Sequence, residues 1–140
     1  MYFILLLLLA LYAFVAHTIS YKIIKKRIIG KTSWDLNICC GTIDGGGINA
    51  DIYKHAELPN FVLIEDIYKL PFDDGRFEKV LCSHTLEHVS DPARFFDELR
   101  RVGRDVTIII PPLWDILAAF DFFEHKYIWG YALDSGAPHM

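Results

Sequence analysis

Not one charged side chain interrupts the first nineteen residues of this 140-residue chain, and no positive charge precedes them. The missing basic lead argues against a cleaved signal peptide, which normally opens on positive charge and closes on a small-x-small site. Cysteine is scarce as well. Cys39, Cys40 and Cys82 form no C-x-x-C pair, two are adjacent, and the count is odd. That excludes a disulfide scaffold and predicts reduced thiols in a cytoplasmic domain. Basic charge is thin beyond Lys31. All eighteen acidic residues follow it with only nine of the fourteen basic ones, so residues 32–140 carry a formal charge of −9. A surface of that sign repels polyanions, and nucleic acid is not an expected partner. No internal repeat or low-complexity stretch is present, and the length suits one domain.

What is present begins with the apolar run Met1–Ile19. As a helix it would be about 28 Å long, close to the ~30 Å hydrocarbon thickness of a bilayer. The charges come after it, at Lys22, Lys25, Lys26, Arg27 and Lys31. That order predicts an uncleaved single-pass anchor over residues 1–20, with the carboxyl side in the cytoplasm. Residues 21–34 read as a basic juxtamembrane linker resting on lipid headgroups, and residues 35–140 as the folded domain. His17, one turn from the basic end, is expected to be a neutral interfacial histidine.

Short apolar runs then alternate with turns. Leu36–Cys40, Phe61–Ile64, Lys79–Ser83 and Val106–Ile110 predict strands, with Ile48–Ile52 a weaker one. The last two runs of that set show no polar alternation, which suits parallel strands covered on both faces. Asp91 is a good N-cap with Pro92 at the first helical position, and apolar residues recur at helical spacing as far as Val102. Strand, helix and strand within about thirty residues make a right-handed βαβ unit. The fold class is α/β, a Rossmann-like, mostly parallel sheet with flanking helices, preceded by one transmembrane helix.

The most informative stretch runs from Asp66 to Pro92. It reads Asp66-x-x-x-Leu70-Pro71-Phe72-Asp73-Asp74-x-x-Phe77-Glu78-x-Val80, then Ser83-His84-x-Leu86-Glu87-His88-x-x-Asp91-Pro92. Before it, Leu36-Asn37-Ile38-Cys39-Cys40-Gly41-Thr42 leads into a glycine turn, and Ile48-Asn49-Ala50-Asp51 ends on a carboxylate. Glycine past a parallel strand lets backbone approach a ligand, and an acid ending the next strand suits ribose hydroxyls. Together these residues resemble the class I S-adenosylmethionine-dependent methyltransferases, closest to a compact branch of the methyltransferase type 11 group. The resemblance covers about Leu36–Pro112. It implies S-adenosylmethionine as cofactor, with Cys39, Cys40, Gly41 and Thr42 facing its methionine portion. Asp51 would hold the ribose, Asp66 and Ile67 would flank the adenine, and Ser83 with His84 would lie under the sulfonium and the acceptor.

The chain also departs from that pattern. Cys39 stands where the family has the first glycine of its G-x-G, and its sulfur is expected to crowd the cofactor. The usual R-V-L-K-P-G-G is reduced to Arg101-Val102-Gly103-Arg104-Asp105. Little room for a first crossover helix remains between Gly41 and Ile48, and the chain stops about where a terminal strand pair would begin, as in a minimal or truncated member of the family. A homodimer or a partner chain completing the sheet edge is a corresponding expectation.

Methyl transfer is an in-line displacement, governed mostly by proximity and alignment. An oxygen or nitrogen acceptor sheds a proton, and histidine suits that general-base role. His84 is the first candidate base, His88 the second, and Glu87 the residue to orient either. Two other readings stay open on sequence. One is a non-catalytic, membrane-tethered relative. The other is a zinc hydrolase, since His84-x-x-Glu87-His88 spells H-x-x-E-H, although no metal ligand set is assigned. The aromatic tail from Leu113 predicts a helix over Trp114–Phe123 and an edge strand over Tyr127–Leu133. Its tryptophans and tyrosines, beside an anchor, suggest a small or lipophilic acceptor taken at the cytoplasmic membrane face.

Overall fold

The structure, a computed structural model, describes residues 2–119. Five strands form one parallel sheet in the order β3-β2-β1-β4-β5. They are β1 (Leu36–Ile38), β2 (Ile48–Asp51), β3 (Phe61–Leu63), β4 (Phe77–Ser83) and β5 (Gly103–Ile109). The order reverses between β1 and β4, which is where an open α/β sheet leaves a crevice at its carboxyl ends. The expected α/β, Rossmann-like class is therefore what the chain adopts.

Several boundaries differ from those expected from sequence. β1 ends at Ile38 because Cys39 turns into the left-handed region, at φ 52°. β2 and β3 each stop one residue early, at Asp51 and Leu63. β4 starts two residues early at Phe77, where Asp35 Oδ2 accepts from the amides of Glu78 and Lys79 at 3.0 and 2.9 Å. β5 begins at Gly103, directly from the helix, and ends at Ile109. The Gly103 N–H still donates to the Leu99 carbonyl while the backbone is already extended.

The N-terminal helix is continuous over Tyr2–Ile29 and is long and apolar enough to cross a membrane. It consists of α1 (Tyr2–Thr18), a π-helical stretch (Ile19–Lys25) and α2 (Lys26–Ile29). The basic run as far as Arg27 thus lies on helix, not on irregular chain. From Tyr12 onward this helix lies against the domain. Tyr12 Oη donates to the Trp114 carbonyl at 2.9 Å, and Ala13 and Ala16 are buried. Helix α3 (Pro92–Val102) is as expected: Asp91 Oδ1 accepts from the Arg94 amide at 3.0 Å, capping the helix behind Pro92. Helix α4 spans Ile116–Ala119; the expected helix to Phe123 and the edge strand over 127–133 lie outside the described residues.

Strand alternation divides the core. Leu36, Ile38, Val80, Cys82, Val106 and Ile108 point to the α3 side, where Phe95, Leu99 and Val102 cover them. The opposite face carries Leu81 and Ile109, which pack with Trp34 and with Ile28 and Ile29 of α2. Trp34 Nε1 donates to the Ile29 carbonyl at 2.9 Å, tying the helix end to the sheet. The N-terminal helix is therefore the second covering layer of a three-layer sandwich.

The Leu70–Asp74 turn is held by Arg101. All five of its N–H donors are used: on Glu98 twice (2.9 and 2.7 Å), on Asp74 (2.6 Å), and on the Leu70 and Phe72 carbonyls (3.0 and 2.9 Å). Its planar fork suits that task as no lysine would. The most specific string in the sequence is thus a clamp between turn and helix.

Candidate functional site

The crevice lies at the carboxyl ends of β1 and β4, where the strand order reverses. One chamber, of about 300 Å³, is lined by the β1 loop at Cys39, Cys40, Gly41 and Thr42, with Ser83 and His84 from the end of β4. An adjoining chamber of about 410 Å³ is lined by Cys39, Asp51, Tyr53, Ile67, Tyr68 and His88. Cys39 and His55 border both, so the two form one elongated space with Cys39 at its waist. Each chamber falls at the size expected of a small-molecule site.

The loop chemistry follows from a few backbone choices. Gly41 sits at φ 56° with open space where a Cβ would stand, so its backbone can meet a ligand closely. Gly47 lets the loop cross directly over the Trp34 and Asp35 carbonyls, a crossing any side chain would block. The loop is pinned beneath by Asn49, whose amide donates to Asp44 Oδ1 and to the Pro59 carbonyl, both at 2.9 Å. Its oxygen accepts from the Gly45 amide at 2.9 Å and from Asn37 Nδ2 at 3.3 Å. Hydrogen bonds from Asn49 and from the Gly46 amide hold the Asp44 carboxyl below its ordinary range.

Asp51 is buried, with its carboxylate at the crevice wall. Its Oδ2 accepts from the Gly41 amide at 2.9 Å and its Oδ1 from the Ile52 amide at 2.7 Å. Burial, then the charge of Asp51, pushes the Cys39 thiol up to about 12, and the same two causes push Cys40 to about 11. Both thiols stay neutral at physiological pH, so neither is a nucleophile there.

At the β4 end, His84 adopts φ 54°, in the left-handed region, and its amide donates to the Ile109 carbonyl at 2.7 Å. Backbone strain of this kind clusters at functional sites. His84 Nδ1 stands 3.6 Å from Glu87 Oε1, and both side chains are buried. Burial raises the Glu87 carboxyl above its ordinary range, against the pull of His88 and Lys25. Both Glu87 oxygens and Ser83 Oγ are buried with no hydrogen-bond partner among the described residues.

Three further findings bear on the expected site. Asp66 is exposed and tied in its own turn, its Oδ1 accepting from the Tyr68 amide at 2.8 Å; only Ile67 of that pair lines the crevice. His84 and His88 line different chambers, and residues 84–88 form a turn, so the one-face helical geometry that H-x-x-E-H requires is not formed. Finally, Tyr21 and Lys25 form part of the crevice wall, although the basic run had suggested only topology. The Tyr21 ring lies 4.5 Å from that of His84, and Lys25 Nζ lies 4.6 Å from the Tyr21 centroid. No spacing in the sequence links Tyr21 to His84. His55 and Tyr53 did carry a signal, polar and aromatic groups just past a strand-end acid.

The sequence profile described as "Methyltransferase domain" matches residues 36–110, more than half of the chain and the whole sheet. The chain belongs to the methyltransferase domain family. Family membership implies S-adenosylmethionine as cofactor, and the residues present fit it: an open glycine loop, a strand-end carboxylate and an orphaned Ser83 hydroxyl border one continuous crevice. Solved structures similar to this methyltransferase domain include a SAM-dependent methyltransferase from Aquifex aeolicus, at 18% identity and TM-score 0.41, covering 52% of this chain and 53% of that one. Another is a candidate methyltransferase from Bacillus halodurans, at 16% identity and TM-score 0.45, covering 74% and 60%. A third comes from the complex of a Haloferax volcanii methyltransferase activator with its candidate methyltransferase, at 14% identity and TM-score 0.47, covering 60% and 50%. The chain thus spans about half the length of the first and third and 60% of the second. No curated protein matches the chain.

Proposed function

We propose that this protein transfers a methyl group from S-adenosylmethionine to an oxygen or nitrogen of a small, lipophilic acceptor at the cytoplasmic face of a membrane. The observation that carries the reading is His84, strained onto the end of β4, bordering the crevice with Nδ1 turned to a buried glutamate. Bound in the crevice, the cofactor supplies an electrophilic methyl on a sulfonium. The chain's own residues do the rest. The Cys39–Thr42 loop offers backbone to the methionine portion, and Asp51 accepts from the ribose hydroxyls. Ile67, with Tyr53, provides apolar surface for the adenine. His84 takes the acceptor's proton at Nε2 while Glu87, at Nδ1, fixes the ring and offsets the imidazolium charge that forms. Tyr21, its ring packed at a tilt against that of His84, excludes water from that side.

Membrane association rests on the apolar helix and on its exposed neighbours Leu113, Trp114 and Leu117. Residues 2–11, ahead of the docked part of the helix, would enter the apolar layer, with the rim of the domain around Trp114 at the interface.

Calorimetric titration of S-adenosylmethionine and its demethylated product into the full chain in lipid nanodiscs tests the reading. Micromolar binding that weakens at least about tenfold in Asp51→Ala is expected. A folded protein that binds neither compound overturns it and favours a non-catalytic, tethered role.

A further inference from the structure

A separate cavity of about 280 Å³ lies between the N-terminal helix and the end of β5. Its walls are mostly apolar: Ile24 and Ile28 from the helix, and Ile108, Ile110, Pro112 and Trp114 from β5 and the segment after it. His84 and Lys25 line both this cavity and the cofactor crevice, so the two meet at the candidate base. One row of residues spaced by four, Tyr21, Lys25 and Ile29, faces the crevice; the next row, Ser20, Ile24 and Ile28, faces the apolar cavity. π-Turns inside helices recur at functional sites.

We propose that this cavity holds the apolar body of the methyl acceptor and presents its hydroxyl or amine to His84, so that the acceptor is an alkyl-substituted ring and not a soluble polar metabolite. The inference rests on the methyltransferase reading. Its size supports it, since a cavity of about 150 Å³ takes benzene, and this one leaves room for substituents. Its chemistry supports it too. Among the described residues, the polar groups on the wall besides His84 are Ser20, Lys25, Thr107 and the Trp114 indole, set against a mostly aliphatic surface that suits an apolar body better than a sugar. The helix that forms one wall continues into exposed leucines, so an acceptor dissolved in lipid reaches the cavity along an apolar surface.

The test uses a 4-alkylphenol with a photoactivatable diazirine at the end of its chain, added to the full protein in nanodiscs. Adducts are mapped by mass spectrometry. Labelling concentrated on residues 24–28 and 108–114 is expected, and Ile24→Trp, which fills the cavity from a position 41% exposed, should lower it roughly fivefold. Labelling of Leu5–Leu9 serves as the lipid control and should not change. Adducts spread along the helix without excess at the cavity, or cavity adducts unchanged in Ile24→Trp, overturn the proposal. Binding of S-adenosylhomocysteine is measured on the same samples. Its absence beside cavity labelling defeats the methyltransferase reading alone.

Discussion

Two buried polar clusters flank the crevice, and they are built on opposite terms. Under the glycine loop, Asn49 is fully buried and uses both amide donors and both acceptor sites of its oxygen. At the end of β4, Glu87 is equally buried and neither of its oxygens has a hydrogen-bond partner among the described residues. Beyond it, contacts lead away through tilted ring pairs to a second buried acid: His84 against Tyr21 (4.5 Å), Tyr21 against His17 (4.8 Å), and His17 Nδ1 at 3.3 Å from Asp115. Native proteins leave few buried polar groups unpaired, because each costs stability. A satisfied cluster is the mark of a scaffold. An unsatisfied one beside a strained histidine marks a place where stability has been given up for chemistry.

The contrast predicts opposite responses to mutation. Asn49→Ala removes four hydrogen bonds at once and leaves the buried Gly45 amide without its acceptor, so it should cost about 3 kcal/mol of folding stability. Chemical denaturation would read that loss directly, and a loss below about 1 kcal/mol would mean the network is not the scaffold. His84→Gly should do the reverse. It removes the base and, by removing Cβ, relieves a left-handed backbone, so kcat falls about 100-fold while the melting temperature holds. If kcat instead stays within about threefold, proton removal does not limit the reaction and the β4 cluster has another purpose.

Glu87 sharpens the comparison through pH. Burial lifts its carboxyl above the ordinary range, so the folded protein binds that proton more tightly than the unfolded chain does. The associated stability is complete below the unfolded pKa, about 4.3, and is lost as pH rises through the raised folded value. Glu87→Gln should therefore match wild type near pH 4 and melt at higher temperature near pH 8, with kcat lowered about tenfold because His84 loses its orienting charge. Melting curves that run parallel across that pH range would show that Glu87 is ionised at no cost.

The scaffold side was legible in the sequence and the chemical side only in part. Short apolar runs, the Asp91-Pro92 cap and the acid at Asp51 are local signals, and they placed all five strands and α3. Strand ends moved where a long-range hydrogen bond decided them, as Asp35 does for β4. Asp66 caps its own turn, and an acid past a strand looks the same in sequence whether it faces a ligand or makes such a cap. Tyr21 was invisible for a different reason. Its role depends on a helix some sixty residues upstream folding back onto β4, and hydropathy alone read that helix as a membrane element.

Cys39 is the residue where the two regions meet, and its substitution is the finest test of the comparison. At φ 52° a side chain costs about 1 kcal/mol over glycine. Glycine recovers that, yet gives back about 0.5–1 kcal/mol through the freer unfolded chain and loses the contact with the core. Stability should hardly move in Cys39→Gly. Cofactor affinity should, because the sulfur stands at the waist between the chambers that would hold the two ends of S-adenosylmethionine. Tightening of about threefold is expected by calorimetry. Cys39→Val should behave oppositely, since a β-branched residue is disfavoured at positive φ and fills the waist. Equal affinity in all three proteins would mean that the cofactor does not pass Cys39. The thiol, pushed up to about 12, would then be packing for the β1 turn, a member of the scaffold and not of the site.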